Sequence, residues 1–245
     1  MRKLILMTGA ALVAAAPLVS ADVVGFGASV SYWDSQLSGK AVNKGDAVDV
    51  ENELNLSNDS TANLTAYIEH PIPVLPNVRL NYTRIQQSGQ GNVGAQGYEN
   101  LVGNTQTQSD LDLKQIDVTL YYELLDNWVN LDLGLTARSL DGDLVVRDRS
   151  GLQPVSRTHV KAVVPMGYIS ARFDLPFTGV SVGAEGNGIA YSGDSIYDLN
   201  AYGQYEMSLL RLRAGYRQQS INYEDNDNTL DIKLGGPFVS AGLTF

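Results

Sequence analysis

The chain has 245 residues, 44% of them apolar and 18% charged, with no cysteine and a formal net charge of −10. The missing cysteines exclude disulfides, thiolate metal sites and a cysteine nucleophile. The acidic balance speaks against a nucleic-acid binder, which meets phosphates with a basic face. Twenty-four glycines and 13 tyrosines stand beside only 5 phenylalanines, a balance unlike that of an ordinary soluble domain.

The first segment has the three parts of a secretory signal peptide. Arg2 and Lys3 open it, Leu4 to Val19 is an alanine-rich apolar run, and Val19-Ser20-Ala21 offers the small residues of a cleavage site. This predicts a signal peptide over 1–21 and a mature barrel over 22–245, as developed below. The run is short for a spanning helix, which needs about 20 apolar residues.

From Val23 onward the hydrophobic period is two, the signature of strands whose side chains alternate between faces. Val24, Phe26, Ala28, Val30 and Tyr32 share one face. The pattern returns in Ala62–Ile68, Val78–Tyr82, Ile116–Tyr122, Val129–Ala137 and Leu210–Tyr216. The opposite face carries charges in mid-strand, which a soluble sandwich would not bury. The connections also alternate in length. Those at 70–77, 124–127, 175–179 and 207–210 are tight, whereas 88–109 and 141–158 are long and polar. Outer-membrane barrels have short periplasmic turns and long outer loops.

The expected fold is therefore an all-β, transmembrane, antiparallel up-and-down barrel of about ten strands, with eight or twelve as alternatives. The predicted spans are 23–34, 61–70, 77–87, 111–123, 128–140, 159–174, 180–191, 196–207, 210–220 and 229–245. Val48, Val50, Leu54 and Leu56 also alternate, and either extend the second strand or form an outer hairpin. The apolar parity switches near Pro165 and Gly167 in the sixth strand and near Gly235-Gly236-Pro237 in the tenth, which predicts β-bulges there. In the seventh, the weak face Ala184, Gly186, Gly188 and Ala190 predicts another bulge or a small-residue contact surface. Tyr32, Trp33, Trp128, Phe173, Phe177 and Tyr197 suit the interfacial aromatic belts. The loops 35–60 and 88–109 are polar and glycine-rich and are expected to be mobile.

The chain ends in Val239, Ala241, Leu243 and Phe245, alternating with small polar residues. A final strand with a terminal aromatic is the assembly signal of outer-membrane barrels. Four strings carry a further resemblance: EHPIPVLPN (69–77), YYELLDNW (121–128), DLPFTG (174–179) and YSGDSIYD (191–198). Together they resemble an uncharacterised family of Gram-negative outer-membrane β-barrel proteins. The resemblance implies location and fold, but no catalytic residues and no cofactor.

Inward positions are predicted for Glu69, Asp117, Glu123, Asp132, Asp174, Glu185, Asp198, Glu206 and Asp231. They are also predicted for Arg79, Arg138, Arg172, Arg211, Arg213, Arg217 and Lys233. Such charges persist inside only when paired. Hairpin register predicts Glu206 opposite Arg211, Gln204 opposite Arg213 and, if the 70–77 turn is symmetric, Glu69 opposite Arg79. The near-balance of charge predicts a lumen filled by ion pairs and a structural or binding role. The alternative is a narrow porin-like channel.

A rim hydrolase is a third reading, since His159 opens the sixth strand near acidic residues 141–143. But the chain lacks a nucleophile elbow and a zincin helix, so no catalytic residue, metal or cofactor is assigned. His70, in a tight turn, has a structural reading. The acidic tip 224–228 lacks the EF-hand pattern for calcium. The expected partners are outer-membrane lipids and lipopolysaccharide, and the barrel-assembly machinery during insertion.

Overall fold

The computed structural model describes residues 24–43, 46–57, 61–95, 97–98, 101–225 and 228–245. The expected signal peptide lies outside them. The described residues form thirteen strands: β1 (Gly25–Trp33), β2 (Gln36–Asn43), β3 (Asp46–Asp49), β4 (Leu56–Ser57), β5 (Thr61–Glu69), β6 (Asn77–Asn92), β7 (Gln106–Asp126), β8 (Val129–Asp148), β9 (Ser156–Asp174), β10 (Val180–Tyr191), β11 (Asp194–Met207), β12 (Leu210–Asp225) and β13 (Asn228–Thr244).

Each strand from β5 to β13 pairs antiparallel with the next, and β1 pairs with both β5 and β13. Ten strands thus close into a ring, which removes every edge from that ring. The terminal residue completes the seam. Phe245 and Phe26 exchange backbone hydrogen bonds of 2.8 and 3.0 Å, and their rings stack at 5.0 Å. One end of the barrel carries the short turns and the C-terminus, and is here termed the turn end. The other, the loop end, carries the long connections.

The strands run further toward the loop end than the sequence pattern indicates. β6 continues to Asn92, β7 begins at Gln106, β8 continues to Asp148 and β12 to Asp225. The reason is a reversal of polarity along each strand. On β7, outward Ile116, Val118, Leu120 and Tyr122 give way to outward Gln108, Asp110, Asp112 and Lys114, while inward Leu111 and Leu113 pack against an internal core. Toward the loop end of β8, outward Asp141, Asp143 and Arg147 alternate with inward Leu140, Leu144 and Val146.

This reversal corrects the expected bulges. β9 pairs with β8 without a register shift from Ser156 to Phe173. The even positions Val164, Met166 and Tyr168 all point inward, and the apparent switch at Pro165 marks the point where the outer surface turns polar. β13 likewise pairs with β12 without a shift. β10 shows none against β9 or β11, and the Leu199 side chain lies over the bare face of Gly186. β1 and β2 form one strand in unbroken register, interrupted at Asp34–Ser35 opposite Gly236–Pro237, where proline has no N–H to donate. The bulge that does occur lies in β7, between Glu123 and Leu125, and leaves both Leu124 and Leu125 on the apolar exterior.

The segment 46–57 does both things expected of it: β3 pairs with β2 as an outer hairpin, and β4 pairs with β6 beyond β5, prolonging the second barrel strand. The segments expected to be mobile loops instead build a packed core. Leu37, Val48, Val50, Leu54 and Leu56 from one, and Val93, Tyr98 and Leu101 from the other, cluster with Trp33, Ile85, Val146 and Leu234. The glycines of 88–109 serve close approach here. A Cβ on Gly91 would fall 1.8 Å from the Glu53 carbonyl oxygen, and one on Gly89 2.3 Å from that of Asn55. Asp49 fixes the turn by accepting from the Glu51 and Asn52 amides at 3.0 and 2.9 Å, and those bonds, the Asn52 amide first, hold its carboxyl below the usual carboxylate range. Trp33, assigned above to the interfacial belt, points inward and is fully buried, donating through Nε1 to the Gly236 carbonyl at 3.2 Å.

Candidate functional site: the lumen

From the turn end inward the lumen opens as a cavity of about 450 Å³. Glu69, Glu123, Asp132, Arg172 and Arg211 line it. Glu69 does not face Arg79, which pairs in register with Tyr67; it accepts from the Tyr121 hydroxyl at 2.8 Å. The expected Glu69–Arg79 pair fails because the turn is centred on Pro73, which sets Arg79 opposite Tyr67, two residues from Glu69. Glu123 and Asp132 stand opposite each other on β7 and β8. Neither makes an ion pair among the described residues. Arg172 pairs with Asp174 at 2.9 Å, and Arg211 lies 3.6 Å from Glu206, the neighbour the hairpin register calls for.

Next comes a layer centred on Glu185. Arg79 grips it with two bonds of 2.9 Å and also donates to the Tyr168 hydroxyl at 3.0 Å. The planar guanidinium matches the carboxylate fork. β6 and β10 are four strands apart around the ring, so this pair reaches across the lumen. Arg213 approaches Glu185 at 3.8 Å, lies over the Tyr202 ring at 4.4 Å and donates to Gln204 at 2.7 Å. Beyond this layer is a gap of about 70 Å³.

The lumen then closes. Arg138 bonds Asp117 at 2.7 and 2.8 Å and Asp198 at 2.7 Å, and Arg217 bonds Asp198 at 2.7 and 2.9 Å. Arg138, Asp117, Asp198 and Arg217 are all buried. Gln115 and Gln219 exchange side-chain bonds of 2.8 and 3.2 Å from strands five apart in the ring of ten, which is the full diameter. The Trp33 ring covers Arg217 at 4.7 Å, and the apolar core of the loop end lies beyond. Cross-strand pairs such as Arg211–Glu206 were readable from hairpin register. The cross-lumen pairs Arg79–Glu185 and Arg138–Asp198 were not, because they depend on barrel closure.

Two residues placed inside by strand parity are outside. Asp231 and Lys233 belong to the loop-end part of β13, where Ile232 and Leu234 take the inward positions. His159 Nδ1 meets Asp143 Oδ1 at 2.9 Å, and Asp141, Asp143 and His159 offer ligand atoms within 4.8 Å of one another. All three project from the exterior of the wall, away from the lumen. His70 organises its turn, its Nε2 lying 3.2 Å from the Pro76 carbonyl oxygen. Of the acidic tip 224–228, Asn226 and Asp227 lie outside the described residues.

No family model and no curated protein sequence matches the chain. Solved structures do. The outer-membrane protease OmpT of Escherichia coli superposes with a TM-score of 0.55 at 10% identity, covering 93% of this chain and 99% of that one. The translocator domain of the autotransporter NalP of Neisseria meningitidis gives 0.47 at 11% identity, covering 93% and 91%. A Pseudomonas aeruginosa FadL homologue gives 0.40 at 10%, covering 91% and 90%. The OmpT likeness establishes the fold: a closed, ten-stranded antiparallel barrel of the outer-membrane type.

Proposed function

We propose that this chain is an integral, non-enzymatic outer-membrane protein with a closed lumen, whose role is structural or binding. In this reading the turn end faces the periplasm and the loop end faces outward. The outward apolar band, the signal-peptide pattern and the C-terminal Phe245 support the location. The observation that carries the closed lumen is the brace Asp117–Arg138–Asp198–Arg217, beside the diametric Gln115–Gln219 pair. Buried, mutually hydrogen-bonded charges leave no polar path for an ion, and conduction needs binding weak enough to release.

A narrow channel is the second reading, favoured by the cavities of about 450 and 70 Å³ that lie in file along the axis. Planar-bilayer recording of the refolded chain separates the two, with heat-modifiable migration as the folding control. The expected result is silence from the native chain. Reproducible steps from the native chain would establish the channel instead.

A further inference from the structure

Opposite charges inside the turn-end cavity are kept apart. Glu123 on β7 and Asp132 on β8 face each other in register, and like charges directly opposite are unfavourable in a sheet. Glu69 adds a third carboxylate to the same cavity. None of the three makes an ion pair among the described residues. Across the lumen stand Arg211 and Arg213 on β12, which is five strands from β7 in the ring of ten and so diametrically opposite. Both are loosely ion-paired. The Nε of Arg211 lies 3.6 Å from Glu206, too far for a hydrogen bond, and is buried with no hydrogen-bond partner. Arg213 comes to 3.8 Å from Glu185.

Deeper in the lumen the same residue types close on one another. Arg79 meets Glu185 at 2.9 Å, and Arg138 and Arg217 meet their aspartates at 2.7 Å. Arg79 shows that a guanidinium can reach across this barrel, so width alone does not hold the charges of the mouth apart. The cavity of about 450 Å³ does, with the short side chains of Ser29 and Ser240 and the bare Gly242 along its β1–β13 wall. That volume falls in the range of small-molecule sites. Ten tilted strands enclose roughly 20 Å from backbone to backbone. A carboxylate and a guanidinium reaching in from opposite walls therefore leave room for a short solute between them.

We propose that the turn-end cavity binds a small zwitterion, a free amino acid or a dipeptide with unblocked ends, its ammonium held by Glu123 and Asp132 and its carboxylate by Arg211 and Arg213. An ammonium offers three N–H donors to the acidic wall, and the guanidinium fork matches a carboxylate. A simple cation would leave the two arginines unanswered, and a simple anion the three carboxylates. The site rests on the binding role proposed above and names its ligand. With the Arg138 brace closing the far side, the ligand enters and leaves by the turn end.

The test is calorimetric titration of the folded full chain in detergent with three probes: alanyl-alanine, its N-acetyl form without the ammonium, and its amide without the carboxylate. Wild type is expected to bind alanyl-alanine about tenfold more tightly than either blocked form, the worth of one charge-assisted hydrogen bond. E123Q/D132N is expected to hold alanyl-alanine no better than the N-acetyl form, and R211Q no better than the amide. D143N, on the loop-end exterior, is expected to behave as wild type. E123Q/D132N removes like charges rather than an ion pair, and heat-modifiable migration is read on every sample to establish folding. A folded wild type that binds no probe, or all three alike, overturns the site and leaves the barrel standing. So does a preference that survives in folded E123Q/D132N and R211Q. A wild type with no heat-modifiable form overturns the barrel reading and the site with it. Escape of alanyl-alanine from vesicles carrying the native chain, together with the expected binding pattern, upholds the site and replaces the closed lumen by a channel.

Discussion

The two halves of this barrel obey opposite rules with the same strands. Toward the turn end, β7 shows Ile116, Val118 and Leu120 to the exterior and keeps Asp117 and Thr119 inside. Toward the loop end, the same strand shows Asp110, Asp112 and Lys114 to the exterior and turns Leu111 and Leu113 inward. Strand parity does not change across this boundary; the surroundings do. In the outer-membrane reading proposed above, the solvent below the boundary is hydrocarbon, so apolar side chains face out and polar ones must satisfy each other inside. Above it the solvent is water, and the barrel folds as a soluble protein around an apolar core. A residue's inward position therefore does not imply a charge, nor an outward one a lipid contact.

The interior of the membrane half is held by charge, and breaking its brace should have the largest effect. R138A strands Asp117 as a buried, uncompensated carboxylate and leaves Asp198 to Arg217 and Gln219, and loss of one partner of such a network costs about 3–5 kcal/mol. The expected result is a large drop in the urea midpoint of the folded, heat-modifiable form. An unchanged midpoint would mean that water already reaches these carboxylates.

The boundary itself is tested by placing one charge on the same face of one strand, on either side of it. L120R puts an arginine on the exterior of the apolar band and is expected to cost about 2–4 kcal/mol if it lies near the bilayer midplane. Q108R makes the same change on the exterior of the loop-end half and is expected to shift stability by less than about 0.5 kcal/mol. Equal penalties, measured by equilibrium unfolding in vesicles, would erase the distinction between the two halves.

The smallest effect is the pH response of the loop-end exterior. The hydrogen bonds from Arg84 hold the Asp112 carboxyl below its ordinary range. A depressed carboxylate contributes stability that is full above its unfolded value, about pH 4, and is lost as pH falls through the folded one. The two side chains are 41% and 35% exposed, so solvent screening leaves less than about 1 kcal/mol. Limited proteolysis from pH 7 down to 3 should cleave the loop end earlier than the barrel, and D112N should flatten part of that dependence. Cleavage with no pH dependence, or D112N behaving as wild type throughout, would remove Asp112 from the explanation.

Much of this was written in the alternation. All ten barrel strands, from Val30 on β1 to Leu243 on β13, are placed by the period of two and by the tight turns between them. The Glu206–Arg211 and Gln204–Arg213 neighbours follow from a two-residue turn at Ser208–Leu209. What misled was the assumption of one environment along each strand. It turned the reversal at Pro165 into a bulge, sent Trp33 to the lipid belt, and placed Asp231 and Lys233 in the lumen.

Local sequence determined that these strands form, which face of each is apolar, and how hairpin neighbours meet, because backbone geometry alone sets those relations. Closure decided the rest. Whether Arg79 finds Glu185, or Gln115 finds Gln219, depends on the diameter and stagger of ten strands taken together. The core of Leu54, Val93 and Trp33 likewise exists only once distant loops are brought to a common mouth. Those contacts join residues far apart in the chain, and no periodicity within a strand encodes them.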